Sequence, residues 1–301
     1  VIFMRRIIFI ILSVLLVSSS FSQLNVVCTT DILADAVKNI GGEAVNVSVL
    51  MGSGIDPHSY RASIGDVRAI FGADLIVYSG LHLEGKMTDL FAKFEKLHIQ
   101  SIGVGDLLDE SELIVLSDKG DLHDPHIWFS IAIWKRCSAF IAEKMIEMDE
   151  VNADDYRVNL DQFIVELDKL DWETKKKISE IPESARVMIT AHDAFNYLGR
   201  DYGIEVKGLQ GVSTASEIAA TDLIVLAEFI VENQIPAVFL ENSVPMRNIE
   251  ALIEAVRAKG YELKLGGELF ADSMGTPGTK EGTYIGMFEH NIATIYNGLK
   301  E

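Results

Sequence analysis

Residues 153–179 read ADDYRVNLDQFIVELDKLDWETKKKIS, a run with no glycine and no proline. Tyr156, Leu160, Phe163, Leu167 and Leu170 step by four, three, four and three. That spacing predicts one apolar stripe on a helix with charge on its other faces. Pro182 ends it. At 1.5 Å per residue the segment spans about 40 Å, long enough to cross one domain and continue into the next. The stripe covers too few heptads to favour a coiled coil.

Both flanks alternate strand and helix. Before the long segment, Val26 to Thr29 reads as a strand and Ile32 to Ile40 as an amphipathic helix closed by Gly41-Gly42. Val45 to Leu50 is a second strand, Ser63 to Phe71 helical, Leu75 to Tyr78 a strand and Met87 to Phe94 helical. After it, Val187 to Thr190 is a strand, Val206 begins another, and Ala220 to Glu232 is helical. Ala237 to Leu240 follows as a strand, then a helix over Arg247 to Lys259. A last strand, Glu262 to Leu265, enters Gly266-Gly267, and Gly286 to Leu299 reads as the terminal helix. Strand–helix–strand at this spacing predicts parallel sheets with helices on their faces. The expected fold class is therefore α/β: two lobes, each a small parallel sheet flanked by helices, over residues 23–151 and 182–301. Residues 152–181 form the linker helix between them.

Ahead of the first lobe, Arg5-Arg6, the apolar run Ile7 to Val17 and the serines to Ser22 have the three parts of an export signal. Residues 1–22 are read as that signal, with cleavage near Ser22 and Gln23. Its apolar core is short for a membrane span. Cys28 follows Val26-Val27 inside a strand-like run, not a small residue at the end of the apolar core. The expectation is thus a periplasmic protein without a lipid anchor. Cys28 and Cys137 show no disulfide framework and read as buried free thiols. Losing Arg5 and Arg6 with the leader takes the net charge from −19 to −21. Such a chain is a poor binder of nucleic acid or anionic lipid.

The tripeptide Asp-Pro-His occurs twice, at 56–58 and 124–126. Proline fixes its own φ and holds its predecessor extended, so each copy is a stiff turn presenting one imidazole. One such turn is unremarkable; two from distant parts of a chain suggest a site assembled by folding. His58 follows a strand of the first lobe, in the region where parallel sheets gather their ligands. His126 follows the loop that ends that lobe, His192 lies just past a strand of the second, and Asp272 comes after the last strand. Three imidazoles and a carboxylate, two from each half, suit a borderline divalent ion in four-coordination. The other histidines fit less well. His82, near a strand end, could line the cleft, but Leu81 and Leu83 favour a half-buried structural place for it; His123 reads as a loop residue that a passing ion could meet. His98 and His290 look like surface or packing positions. Asp56 and Asp124 either fix the tautomers of the neighbouring imidazoles or cap turns.

The chain after residue 23 resembles the metal-binding solute-binding proteins of ABC importers, the cluster of TroA-, ZnuA- and PsaA-like proteins. The resemblance rests on Met51-Gly-Ser-Gly-Ile-Asp-Pro-His-Ser-Tyr60, Asp124-Pro-His-Ile-Trp-Phe129 and Thr190-Ala-His-Asp-Ala-Phe195. Gly266-Gly-Glu-Leu-Phe-Ala-Asp-Ser273 and Gly282-Thr-Tyr-Ile-Gly-Met-Phe-Glu-His-Asn291 complete it, in the same order. It implies two pseudo-symmetric lobes bridged by a rigid helix, with metal held between them by His58, His126, His192 and Asp272. Histidine at the third of these positions tilts the expected cargo toward Zn2+, with Mn2+ or Fe2+ as alternatives. A membrane permease is the implied partner, and no stable oligomer is expected. Two features depart from the family pattern. The loop Ser117 to His123 carries one histidine where many zinc-specific members carry a long histidine-rich stretch. Phe129-Ser130-Ile131 replaces a Leu-Asp-Pro, a change expected to touch a helix cap.

Two other classes compete with transport. An exported zinc hydrolase needs an open coordination position and a general base, for which only Glu268 offers itself, and that residue reads better as buried packing. No His-Glu-x-x-His or Gly-x-Ser-x-Gly pattern occurs. An adhesin is the third class, disfavoured by the missing lipid signal. The expectation is a binding protein, not an enzyme.

Overall fold

A computed structural model describes residues 23–116 and 122–300. The export signal over 1–22 and most of the loop ahead of the second Asp-Pro-His lie outside the described residues. The first lobe runs β1 (Leu24–Thr30), α1 (Asp31–Gly41), β2 (Val45–Met51), α2 (Ile64–Gly72) and β3 (Leu75–Tyr78). It continues through the single turn α3 (Thr88–Phe91), β4 (Ser101–Gly103) and α4 (Ile131–Met148). Helix α5 (Ala153–Ser179) then leads to β5 (Val187–His192), α6 (Asn196–Tyr202), β6 (Glu205–Gln210) and α7 (Ala220–Glu232). The chain closes with β7 (Ala237–Glu241), α8 (Arg247–Ala258), β8 (Lys264–Leu269) and α9 (Tyr284–Lys300).

The two sheets are parallel and share one topology, β2-β1-β3-β4 and β6-β5-β7-β8. Central strands are buried on both faces, which explains the continuous apolar reading of Leu24–Thr30 and Val187–His192. In each sheet the connections reverse direction beside the first strand, and a ligand crevice opens there at the carboxyl ends. Local chemistry starts the helices where expected. The Thr30 hydroxyl accepts from Leu33 N, Ser63 and Asp66 form a reciprocal cap on α2, and Ser130 caps α4.

Several elements differ from the sequence reading, which gives no bounds for α4 or α6. The helix expected over Met87 to Phe94 shrinks to α3, because Lys93 and Phe94 donate to carbonyls only three residues back, at Leu90 and Phe91. Strand β4, three residues long, is too short to leave a periodic signal. Strand β8 runs through Gly266-Gly267 instead of stopping there. A side chain at 266 would meet the Phe239 ring at 2.6 Å, and Gly267 holds φ +128. The glycine pair therefore serves close packing against β7, not a turn.

Helix α5 buries Tyr156, Phe163, Leu167, Leu170 and Ile178, packing on α1 and α4 at one end and on α9 at the other. One apolar cluster consequently runs from the first lobe through α5 into α9 and the second sheet. Leu167→Ala should lower the unfolding free energy by about 2–5 kcal/mol, whereas Val165→Ala, on the exposed face, should change it by under about 0.5 kcal/mol. Urea unfolding of both variants checks the contrast.

Two carboxylates one turn apart on α1 tie the lobes together. Asp31 accepts from Met274 N at 3.1 and 3.2 Å, and Asp35 accepts from Tyr284 N at 3.2 Å. Burial pushes Asp31 from 3.8 up to about 7, despite the opposing Met274 hydrogen bond. Between those values the folded chain holds a proton that the unfolded chain has lost, so stability falls as pH rises through this window. Asp31→Asn keeps an acceptor for Met274 but cannot ionise. Relative to wild type it should gain on the order of 4 kcal/mol between pH 4 and 8, read from urea midpoints across that range.

Candidate metal centre

The chain's two turns and two strand ends converge at the lobe boundary. His58 sits in the loop after β2, and its Asp-Pro-His turn is closed by His58 N donating to Asp56 Oδ1 at 2.9 Å. His126 repeats the device with Asp124 Oδ1 at 2.9 Å. His192 is the last residue of β5, and Asp272 lies three residues beyond β8. All four are buried, each at most 4 % exposed. One ligand atom from each lies within 4.8 Å of every other.

Carboxylates orient two of the rings. His126 Nδ1 pairs with Asp124 Oδ1 at 2.7 Å, and His192 Nδ1 pairs with Glu241 Oε2. With the proton on Nδ1, each ring turns the Nε2 lone pair toward the shared centre. There His58 Nε2 and His126 Nε2 stand 3.3 Å apart, and Asp272 lies 3.3 Å from His126 Nε2 and 3.4 Å from His192 Nε2. Among the described residues, His192 Nε2 and Asp272 Oδ1 are buried without a hydrogen-bond partner. Metal–ligand bonds of 2.0–2.1 Å in a tetrahedron put neighbouring ligand atoms about 3.3–3.4 Å apart. Three of the contacts match those edges, while the four ligand atoms as a set lie within 4.8 Å of one another, a spread wider than a closed tetrahedron.

The electrostatics fit a site that exchanges protons for a cation. Burial opposes charge on His126 and His192, but Asp124 and Asp272 outweigh it for His126, raising its pKa. Glu241 and Asp272 raise His192 well above the ordinary imidazole value. Burial would keep Asp272 protonated, yet His192 and His126 hold it well below the usual carboxylate range. His58, with no carboxylate on its ring, is pushed down to about 4, chiefly by burial.

A family model described as zinc-uptake complex component A, periplasmic (ZnuA), matches residues 26–298. The chain belongs to this family. It is 45% identical over 282 residues to the manganese-binding lipoprotein MntA of Bacillus subtilis, covering 94% of this chain and 92% of MntA. It is 44% identical over 274 residues to the zinc-binding protein TroA of Treponema pallidum, covering 91% and 88%. The solved structure of that periplasmic zinc-binding protein superimposes with a TM-score of 0.90 at 43% identity, over 93% of this chain and all of the solved chain. The two-lobe fold is shared along the whole described chain. MntA's name runs against the expectation of a protein without a lipid anchor. Cys28 is a free thiol wholly buried in β1.

The remaining candidates divide. Asp124 fixes its imidazole; Asp56 does not, and instead accepts from Ser59 Oγ and from Thr214 Oγ1 of the second lobe, both at 2.7 Å. His82 is exposed, contrary to the half-buried place expected for it, although Leu83 is fully buried and Leu81 packs partly buried against the core. Glu268 is also exposed, on the edge strand β8, and makes no buried packing. His98 is exposed, and His290 packs on Phe270, both apart from the four. The sequence reading missed Glu241. Its signal was available: an acid ending a central parallel strand, beside the strand that ends in His192. Glu241→Ala would leave Ala191 N, His192 N and His192 Nδ1 without their acceptor. Urea unfolding of the metal-free protein should register a loss of about 3–5 kcal/mol.

Proposed function

We propose that His58, His126, His192 and Asp272 hold one divalent transition-metal ion between the lobes as transport cargo. As a member of the family of metal-binding proteins of ABC importers, the chain acts outside the cytoplasm, taking up the ion for a membrane permease. Four converging buried donors within 4.8 Å of one another, two of them with an unpartnered ligand atom, carry this reading. In the same proposal residues 23–151 and 182–301 are the two lobes and 152–181 the linker, and closure brings second-lobe donors onto those of the first. The ion then stabilises the closed population through contacts made only there. Three imidazoles and one carboxylate favour zinc over manganese and ferrous iron by the general affinity order. The names of MntA and TroA include both manganese and zinc at nearly equal identity, so cargo in the cell is also set by which ion is available.

Elemental analysis and competitive titration of the stripped protein test the proposal. One ion per chain is expected, with zinc bound more tightly than manganese. Asp272→Ala should weaken it by more than about 100-fold, beyond the loss caused by removing a supporting partner. No stoichiometric ion in the wild type, or retained affinity in a His58→Ala, His192→Ala double variant, would sink the assignment.

A further inference from the structure

We propose that His82 is a transient metal ligand in a loading vestibule that opens onto His58. The inference rests on the four-residue site above and extends it outward. A cavity of about 370 Å³ lies between the lobes, walled by His58, His82, His123 and Pro125 on one side and by Asp193 and Val212 on the other. Of the four converging residues, only His58 lines it. The ion's route to the buried centre therefore runs past His58. A water molecule occupies about 30 Å³ of liquid volume, so the vestibule accommodates an ion with its six waters, whereas the closely spaced donors beyond it do not. Water must be shed in the vestibule, and a ligand standing there lowers the barrier to shedding it.

The backbone beneath His82 is unusual. Four non-glycine residues among those described have left-handed φ: Leu81, His82, His98 and Gln234. His98 and Gln234 follow helical turns, with Ile99 N returning to Phe94 O and Ile235 N to Ile230 O, the ordinary way for a helix to end. Leu81 (φ 51) and His82 (φ 63) follow Gly80 (φ 78) with no helix behind them. Carboxylates fix this run. Glu84 accepts from Ser79 N and Gly80 N, and Asp106 accepts from Leu81 N. Backbone held in a sparsely populated conformation by surrounding groups marks a place where geometry is being imposed. What it imposes here is an exposed imidazole on the vestibule wall. The ligand class is a hydrated divalent transition-metal cation, for which imidazole replaces a departing water.

The test uses His82→Asn, which removes the imidazole but keeps a side chain that tolerates left-handed φ. His98→Ala is the control, removing another exposed left-handed histidine, away from the vestibule. Zinc alone is mixed with stripped protein by stopped flow, followed through the fluorescence of Trp128, whose ring lies 5.3 Å from His126. Release is followed into a chelating dye. Loss of His82 should slow uptake about tenfold, the low end of what a favourable group at a cleft mouth supplies, and slow release in parallel, while His98→Ala matches wild type. Unchanged rates for His82→Asn would overturn the proposal, leaving His82 a turn residue. Faster release with unchanged uptake would also overturn it, because His82 would then belong to the bound state. Failure of the underlying four-residue site looks different: wild type itself would take up no stoichiometric zinc.

Discussion

A carboxylate as deeply buried as Asp272 does not ordinarily stay charged, because leaving water costs it several kcal/mol. Here the imidazoles of His192 and His126, 3.3–3.4 Å away, reverse that preference. They in turn depend on Glu241 and Asp124 to keep their Nε2 atoms aimed inward. Each carboxylate is anchored by backbone: Glu241 by Ala191 N and His192 N, and Asp124 by His126 N. The charge balance of the centre thus reaches, within two bonds, into strands and turns of both lobes. Loosening either lobe would strand a buried charge.

This dependence explains why the lobes are sutured so closely. Trp128 Nε1 donates to Ala271 O at 3.0 Å, and Tyr284 OH donates to Trp128 O at 2.7 Å. The loop that carries His126 is thereby held against the loop that carries Asp272. Gly54 N donates to Ser273 Oγ, and Ser53 Oγ to Met274 O, so the His58 loop meets the same segment. The apolar continuity of α1, α4, α5 and α9 limits how far the lobes can separate. Motion large enough to release an ion must therefore break a small number of polar contacts at the cleft, not the core behind them.

Much of this was legible beforehand, for identifiable reasons. The bounds of α5 and α7 follow from uninterrupted periodicity, and His58, His126, His192 and Asp272 from stiff turns and strand ends. Illegible parts share one cause: their roles depend on neighbours distant in sequence. Glu241 is an unremarkable acid until β5 is laid beside β7. The Gly266-Gly267 pair has the composition of a turn until Phe239 is brought against it. His82 sits between two leucines like a half-buried residue, and only the bonds to Glu84 and Asp106 turn it outward. Strand β4 carries too few residues to register any period at all.

The support of the centre is unequal, and the inequality has a physical consequence. His126 and His192 are each braced by a buried carboxylate on Nδ1, and Asp272 takes a bond from Ser243 Oγ at 3.2 Å. No carboxylate among the described residues hydrogen-bonds the His58 ring, and Asp56 spends its oxygens on the turn and on Thr214. A braced imidazole is a better-oriented and more basic ligand than an unbraced one. The same residue is the one of the four that faces the vestibule. A transport protein has to bind tightly enough to capture and still let go. Under the proposed assignment, three fixed donors with one less constrained donor at the open side would satisfy both demands, since the last bond to form on capture would then be the first to break on delivery.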